Sequence, residues 1–211
     1  MRANAQDVVD IKTHLANYGM EVLYEHGLYR HLYLFDREAK YPGWCDLNVT
    51  TWPGFACIYG DWCDAHTITR EPDMLVDFLH VRNVDYRYWA EKMRMVGRHQ
   101  TLTRESADIC NEWIDERIAE IEADAPLSMF DRERIREEYE SCMDDYDILR
   151  PSKLQDLPDY LTCEGDEISL AIDDAWELDF SEYRYGFLVA CEGLRYAAEK
   201  WAEHTTAVEA E

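Results

Sequence analysis

Leu47-Asn48-Val49-Thr50-Thr51-Trp52-Pro53-Gly54-Phe55-Ala56-Cys57-Ile58-Tyr59-Gly60-Asp61 is the stretch that decides the fold class. β-Branched and aromatic residues flank Pro53-Gly54 on both sides and suit a pleated, half-buried surface. Pro53 presets φ at the first central turn position, and Gly54 accepts the positive φ that a type II turn needs at the second. The stretch reads as strand, turn, strand, with the first strand over 44–51. Upstream, Leu28, Arg30, Leu32 and Leu34 alternate with Tyr29, His31, Tyr33 and Phe35. A strand over 29–35 follows, either covered on both faces or covered on one with tyrosines at its rim. Downstream, 66–70 reads as a further short strand. A helix over 73–79 leans on the hairpin, opened by Glu71 near the N-cap and Pro72 at N1. Apolar spacing at Val8, Ile11, Leu15 and Tyr18 predicts a helix over 7–18, stopped by Gly19. Residues 86–96 form a second helix, ended by Gly97. The sum is an antiparallel meander of about four strands that needs one covered face.

From Leu102 the character changes. Thr103-Arg104-Glu105-Ser106 opens a long helix with Ile109, Trp113, Ile114, Arg117, Ile118 and Ile121 on one face. Asp108, Glu112, Asp115, Glu116, Glu120 and Glu122 take the other. Ala125-Pro126-Leu127 breaks it. A second helix over 128–146 turns Phe130, Ile135, Tyr139 and Met143 inward and exposes Glu133, Glu137, Glu138, Glu140, Asp144 and Asp145. The pair reads as an acidic helical hairpin. Residues 149–161 read as irregular or short helix, and 173–179 as acidic with aromatic punctuation. Ser181-Glu182-Tyr183 starts a last helix whose stripe of Phe187, Leu188, Cys191, Leu194, Arg195, Ala198 and Trp201 packs back on the sheet. Its tail frays after His204. The fold class is therefore α+β: a sheet domain over 1–99, the acidic hairpin over 100–148, and an irregular segment with the closing helix over 149–211 completing the first domain.

Charge narrows the function. The chain has 45 acidic against 21 basic side chains, a net −24, and −21 of this falls in residues 101–211. Such a chain repels nucleic acid and anionic membrane and recruits basic surfaces. The cysteines are seven in number and irregularly spaced, with no CxxC, which fits a reduced compartment. The N-terminal residues lack the apolar run of a secretory leader, and no stretch approaches the roughly 18 apolar residues of a membrane span. A cytoplasmic protein without cofactor is expected.

Thr51-Trp52-Pro53-Gly54, Ile58, Gly60-Asp61, Thr69-Arg70, Asp73-Met74, Phe78 and Tyr88-Trp89-Ala90-Glu91-Lys92 together resemble a family of small accessory proteins of tailed phages and prophages. The resemblance covers 28–93, and 183–201 more loosely. It departs after Gly60-Asp61, where Trp62-Cys63 replaces a small glycine-containing turn. It implies phage origin and an accessory role such as counter-defence against CRISPR, and it implies no catalytic residue.

Several constellations compete for a role. Cys57, Cys63 and His66 lack the paired spacing of a zinc site, so no metal is expected. Cys63 with His66 has nothing to orient the imidazole for a nucleophile. Asp61, Asp64 and Asp73 are each explained by a turn, a loop and a helix start, which ranks a hydrolase last. Trp52, Tyr59, Asp61, Trp62 and Arg70 form an alternative pocket for a nucleotide signal. Two acids per turn on each helix of a pair approach the charge density of a duplex. The favoured expectation is a non-enzymatic phage inhibitor. Asp108, Glu112, Asp115, Glu116, Glu133, Glu137, Glu138, Asp144 and Asp145 would imitate DNA toward a basic surface of a host defence protein or CRISPR effector complex. It would contact neither nucleic acid nor membrane, and a homodimer is compatible with this sequence.

Overall fold

The computed structural model describes residues 1–41, 43, 45–95, 101–124, 126–163, 166–172 and 174–209. The sequence places element ends at Trp44, Val96, Gly97, Ala125 and Asp173, which lie outside the described residues. The chain divides into two compact units, one of Arg2–Thr103 with Tyr183–Glu211, the other of Arg104–Glu182 with Met1.

The first unit is α+β. Its antiparallel sheet has six strands in sequential order: β1 (Tyr18–His26), β2 (Tyr29–Asp36), β3 (Leu47–Trp52), β4 (Phe55–Gly60), β5 (Cys63–Thr69) and β6 (Met93–Met95). The β3–β4 hairpin pairs Val49 with Ile58 and Trp52 with Phe55, and Gly54 takes φ +82° at its turn. Only a residue without a Cβ holds that conformation cheaply. Leu32, Leu34, Leu47, Val49, Ala56, Ile58 and Ile68 share one face and are fully buried. Helices α1 (Ala5–Leu15), α2 (Tyr86–Lys92) and α6 (Tyr185–Glu209) and a π-helical turn (Met74–Phe78) cover that face. At its centre α6 comes so close that a Cβ on Gly193 would sit 2.7 Å from Ile58 Cδ1.

Two polar networks fasten this core. Arg30 points inward from β2 and donates to both oxygens of Asp73, at 2.7 and 2.8 Å, with its guanidinium 4.6 Å from the Trp201 ring. Glu192 on α6 is fully buried. It accepts from Arg195 Nε at 2.7 Å and Tyr86 OH at 2.6 Å, with Lys12 Nζ 3.6 Å away. Both satisfy the rule that a buried charge must be paired.

The second unit holds α3 (Ala107–Asp124), α4 (Met129–Glu140), the single turn α5 (Pro151–Leu154), and the hairpin β8 (Tyr160–Cys163) and β9 (Asp166–Ser169). Its own core gathers Cys110, Ile114, Ile118, Ile135, Tyr139, Leu149 and Leu170. Short strands β7 (Thr103–Glu105) and β10 (Ser181–Tyr183) pair with each other in a two-stranded sheet.

Several expectations change. The sheet has six strands rather than about four: β1 carries a bulge between Val22 and Tyr24 that hides its alternation, and β6 is a short edge strand with a helix-forming sequence. The helix expected over 86–96 ends at Lys92, and Met93–Met95 pairs with β5 instead. The N-cap before Met74 is Asp73, not Glu71. Thr103–Glu105 and Ser181–Tyr183 are strands rather than helix starts. The helix expected over 128–146 stops at Glu140, and Phe130 is 67% exposed rather than inward. The closing helix runs on to Glu209. Residues 149–182 group with the helical pair, not with the closing helix.

Candidate functional site

Residues 104–182 hold 26 acidic and 7 basic side chains, so −19 of the net −24 lies in the second unit. Its helices explain where these charges go. Cys110, Ile114, Ile118 and Ile121 recur at helical spacing and anchor one side of α3 in the core. Asp131, Ile135 and Tyr139 do the same for α4. Ser128 caps α4: its Oγ accepts from Asp131 N at 3.2 Å and donates to the Asp131 carboxylate at 2.6 Å. That caps the orphan donors of the first turn.

Opposite the buried stripes, helical spacing sets Asp108, Glu112 and Glu116 in one row on α3 and Glu133 and Glu137 in another on α4, all exposed. Between the rows runs a seam of ion pairs joining the helices. Arg136 bonds Asp115 and Arg132 bonds Glu122, and Arg136 also lies 3.6 Å from Glu140. Asp115, Ile118, Met129, Arg132, Glu133 and Arg136 line a cleft of about 360 Å³ along this seam.

The structure therefore divides the nominated acids. Asp115 is neutralised by Arg136. Asp144 is bonded by Arg150, and its side chain also accepts from Tyr146 N at 2.9 Å and Ile148 N at 3.1 Å. The Arg150 hydrogen bond holds its carboxyl below the usual range. Asp108, Glu116, Glu133, Glu137, Glu138 and Asp145 form no ion pair among the described residues. Glu138 is half-buried and Asp145 lies beyond the end of α4, so neither joins the two outward rows. Met129 and Phe130, at the start of α4, are 79% and 67% exposed. Sequence reasoning missed this apolar tip because Phe130 fits an inward helical spacing.

The alternative pocket does not assemble. Trp52 stacks on Phe55 with centroids 5.3 Å apart, at the turn end of the β3–β4 hairpin. Arg70 is at the same end, its N–H on Gly54 O at 3.3 Å and its Nε 3.5 Å from Glu71. Tyr59, Asp61 and Trp62 belong to the far end of β4, about 13 Å away at strand spacing. There Asp61 accepts from Cys45 N at 2.9 Å, and Trp62 meets His14 edge-on at 4.5 Å. Near the same strands, burial pushes the Cys63 thiol up to about 12 and holds the His66 imidazole below its ordinary value. His66 Nδ1 is engaged 2.6 Å from Asp64 O, so the pair lacks an activated nucleophile. Among the described residues no group of three His, Cys, Asp or Glu side chains is placed to hold a metal ion. Among them, too, no helix is long and apolar enough to cross a membrane.

Comparison with protein-family models, curated proteins and solved structures finds no match to the chain.

Proposed function

We propose that the chain is a phage-encoded, non-enzymatic inhibitor of a bacterial defence complex, of anti-CRISPR type, whose acidic unit occupies a basic nucleic-acid-binding surface of that complex. The observation that carries this reading is the concentration of −19 of the net −24 in one separately cored unit, with outward acidic rows on α3 and α4. Stability does not explain those rows. Asp108–Glu112, Glu112–Glu116 and Glu133–Glu137 are like-charged i,i+4 steps, each costing about 0.2–0.5 kcal/mol in a helix.

Each row places a carboxylate about every 6 Å, four residues at 1.5 Å rise. Two rows together give one charge per ~3 Å, about half the density of a duplex at one per ~1.7 Å. Arg136 removes Asp115 from the set, Arg150 removes Asp144, and Glu138 and Asp145 lie outside the two rows. The contact set is accordingly Asp108, Glu112, Glu116, Glu133 and Glu137, with Phe130 as an apolar anchor at their edge, the kind of side chain that concentrates binding energy in interfaces.

Phage plating on a panel of CRISPR-immune hosts tests the proposal. A host expressing the chain is expected to lose immunity and plate targeted phage as well as a non-immune host. Immunity kept across the panel would remove the anti-CRISPR assignment.

A further inference from the structure

The six-stranded sheet has a second face, which no helix among the described residues of the first unit covers. Its rows follow from the registers. Trp52 pairs with Phe55, and the β2–β3 register carried one residue past Arg30–Thr51 sets Tyr29 beside Trp52. Tyr24 pairs with His31, which continues to Thr50 and Cys57. Glu21 pairs with Tyr33, which continues to Asn48 and Tyr59. The Phe35 ring lies over Gly19, so close that a Cβ there would be 2.5 Å from it. Tyr24, Tyr29 and Tyr59 are 55%, 53% and 42% exposed.

This face is almost without net charge. No Lys or Arg stands in these rows, Tyr33 donates its hydroxyl to the Asp46 carboxylate, and His31 Nε2 is 3.0 Å from Asn48 Oδ1. Glu21 is the one carboxylate in the rows without such a bond among the described residues. A nucleic acid strand would find aromatic rings here but no cation for its phosphates. A strongly basic partner would find no counter-charge. A second copy of the same face presents matching aromatic rows and no opposing charge.

We propose that two copies of the chain associate through this face, related by a two-fold axis with the sheets packed face to face. Three half-exposed tyrosines and the partly exposed Trp52, Phe55, Tyr33 and Phe35 offer roughly 300–700 Å² per copy, taking 150–250 Å² per aromatic side chain when fully exposed. Doubled, this is roughly 600–1,400 Å², from the size of weak, transient contacts up to the lower edge of stable interfaces, so the dimer is a weak one. Because the rest of the chain repels itself, added salt strengthens the dimer. Binding through the acidic unit would instead weaken with salt.

Sedimentation velocity of the full chain over about 1–100 µM, where a weak dimer becomes populated, tests this. The expected result is a concentration-dependent shift from 24.9 kDa toward twice that mass, sharper at high salt. Tyr29→Glu with Tyr59→Glu is expected to raise the dissociation constant at least tenfold while the circular dichroism spectrum is unchanged. The single variant Tyr59→Arg, at an exposed site, gives the same readout should the double variant misfold. Glu133→Lys with Glu137→Lys leaves the dimer intact. A monomer throughout the range, a dimer indifferent to the tyrosine changes, or a monomer that binds an oligothymidylate through these tyrosines would overturn the proposal.

Discussion

Replacing Asp73 by alanine is expected to be among the costliest single changes in the first unit. Asp73 does two things at once. It accepts a bidentate pair from Arg30, which is 9% exposed, and it caps the π-helical turn through Leu75 N at 3.2 Å and Val76 N at 3.3 Å. Burial raises its carboxyl, but the Arg30 hydrogen bonds and charge win and hold it below the usual range. Alanine leaves the Arg30 guanidinium buried without a counter-charge, which costs about 3–5 kcal/mol. Loss of the cap adds about 1 kcal/mol. For a chain of this length that is a fall in Tm of roughly 8–24 °C. Asp73→Asn keeps the cap and is expected to cost about 1 kcal/mol less. Arg30→Met in the Asp73→Asn background removes the stranded charge and recovers much of the loss. Urea unfolding of the parent, Asp73→Asn, Arg30→Met and the double variant measures the coupling, expected at about 2 kcal/mol or more. Effects that add to within about 0.5 kcal/mol would refute the claim that this pair joins sheet, turn and closing helix.

The acid sensitivity of the first unit should carry two signatures. Because Asp73 is depressed when folded, its contribution is present above the unfolded value of about 3.9 and is lost as pH falls through its folded pKa. Because His66 is held neutral by burial, the unfolded chain takes up a proton that the folded chain refuses, so stability falls as pH drops below about 6.5. His66→Gln is expected to flatten that upper slope in a pH series of unfolding curves. Gly193→Ala should destabilise by about 1–3 kcal/mol through overpacking, offset by up to about 1 kcal/mol of helix propensity. Ile58→Val removes the Cδ1 atom that the new methyl meets, so the double variant should be less destabilised than the two single costs summed.

The hairpin, its type II turn and the buried stripe of the closing helix were legible because local chemistry and tertiary demand agree there. Pro53-Gly54 suits one turn only, and Phe187, Leu188, Cys191, Leu194, Ala198 and Trp201 are all buried at the spacing read from sequence. β1 was not legible, because a bulge between Val22 and Tyr24 breaks its alternation. β6 was not, because Met93–Met95 has helical propensity and the open edge of β5 claims its backbone bonds instead. Local sequence marks Asp73 only as a helix-start residue, because its partner Arg30 is 43 positions away and no local pattern announces it. In the acidic unit, spacing located the carboxylates on α3 and α4 but could not separate outward Glu116 and Glu133 from Asp115, which a cross-helix arginine neutralises. The alternative pocket failed for a related reason: nearness in sequence put Tyr59, Asp61 and Trp62 at one end of a strand and Arg70 at the other. Of the strand over 29–35, the second of the two readings holds. Arg30, Leu32 and Leu34 are buried, and the aromatic residues alternate onto the uncovered face.

Reversing Glu116, Glu133 and Glu137 to lysine together in the full chain, while plating targeted phage on the CRISPR-immune host it disarms, probes the central claim most directly. The account predicts that the triple variant keeps the far-UV circular dichroism of the parent and no longer restores plaques. A folded triple variant that disarms the host as well as the parent would contradict it.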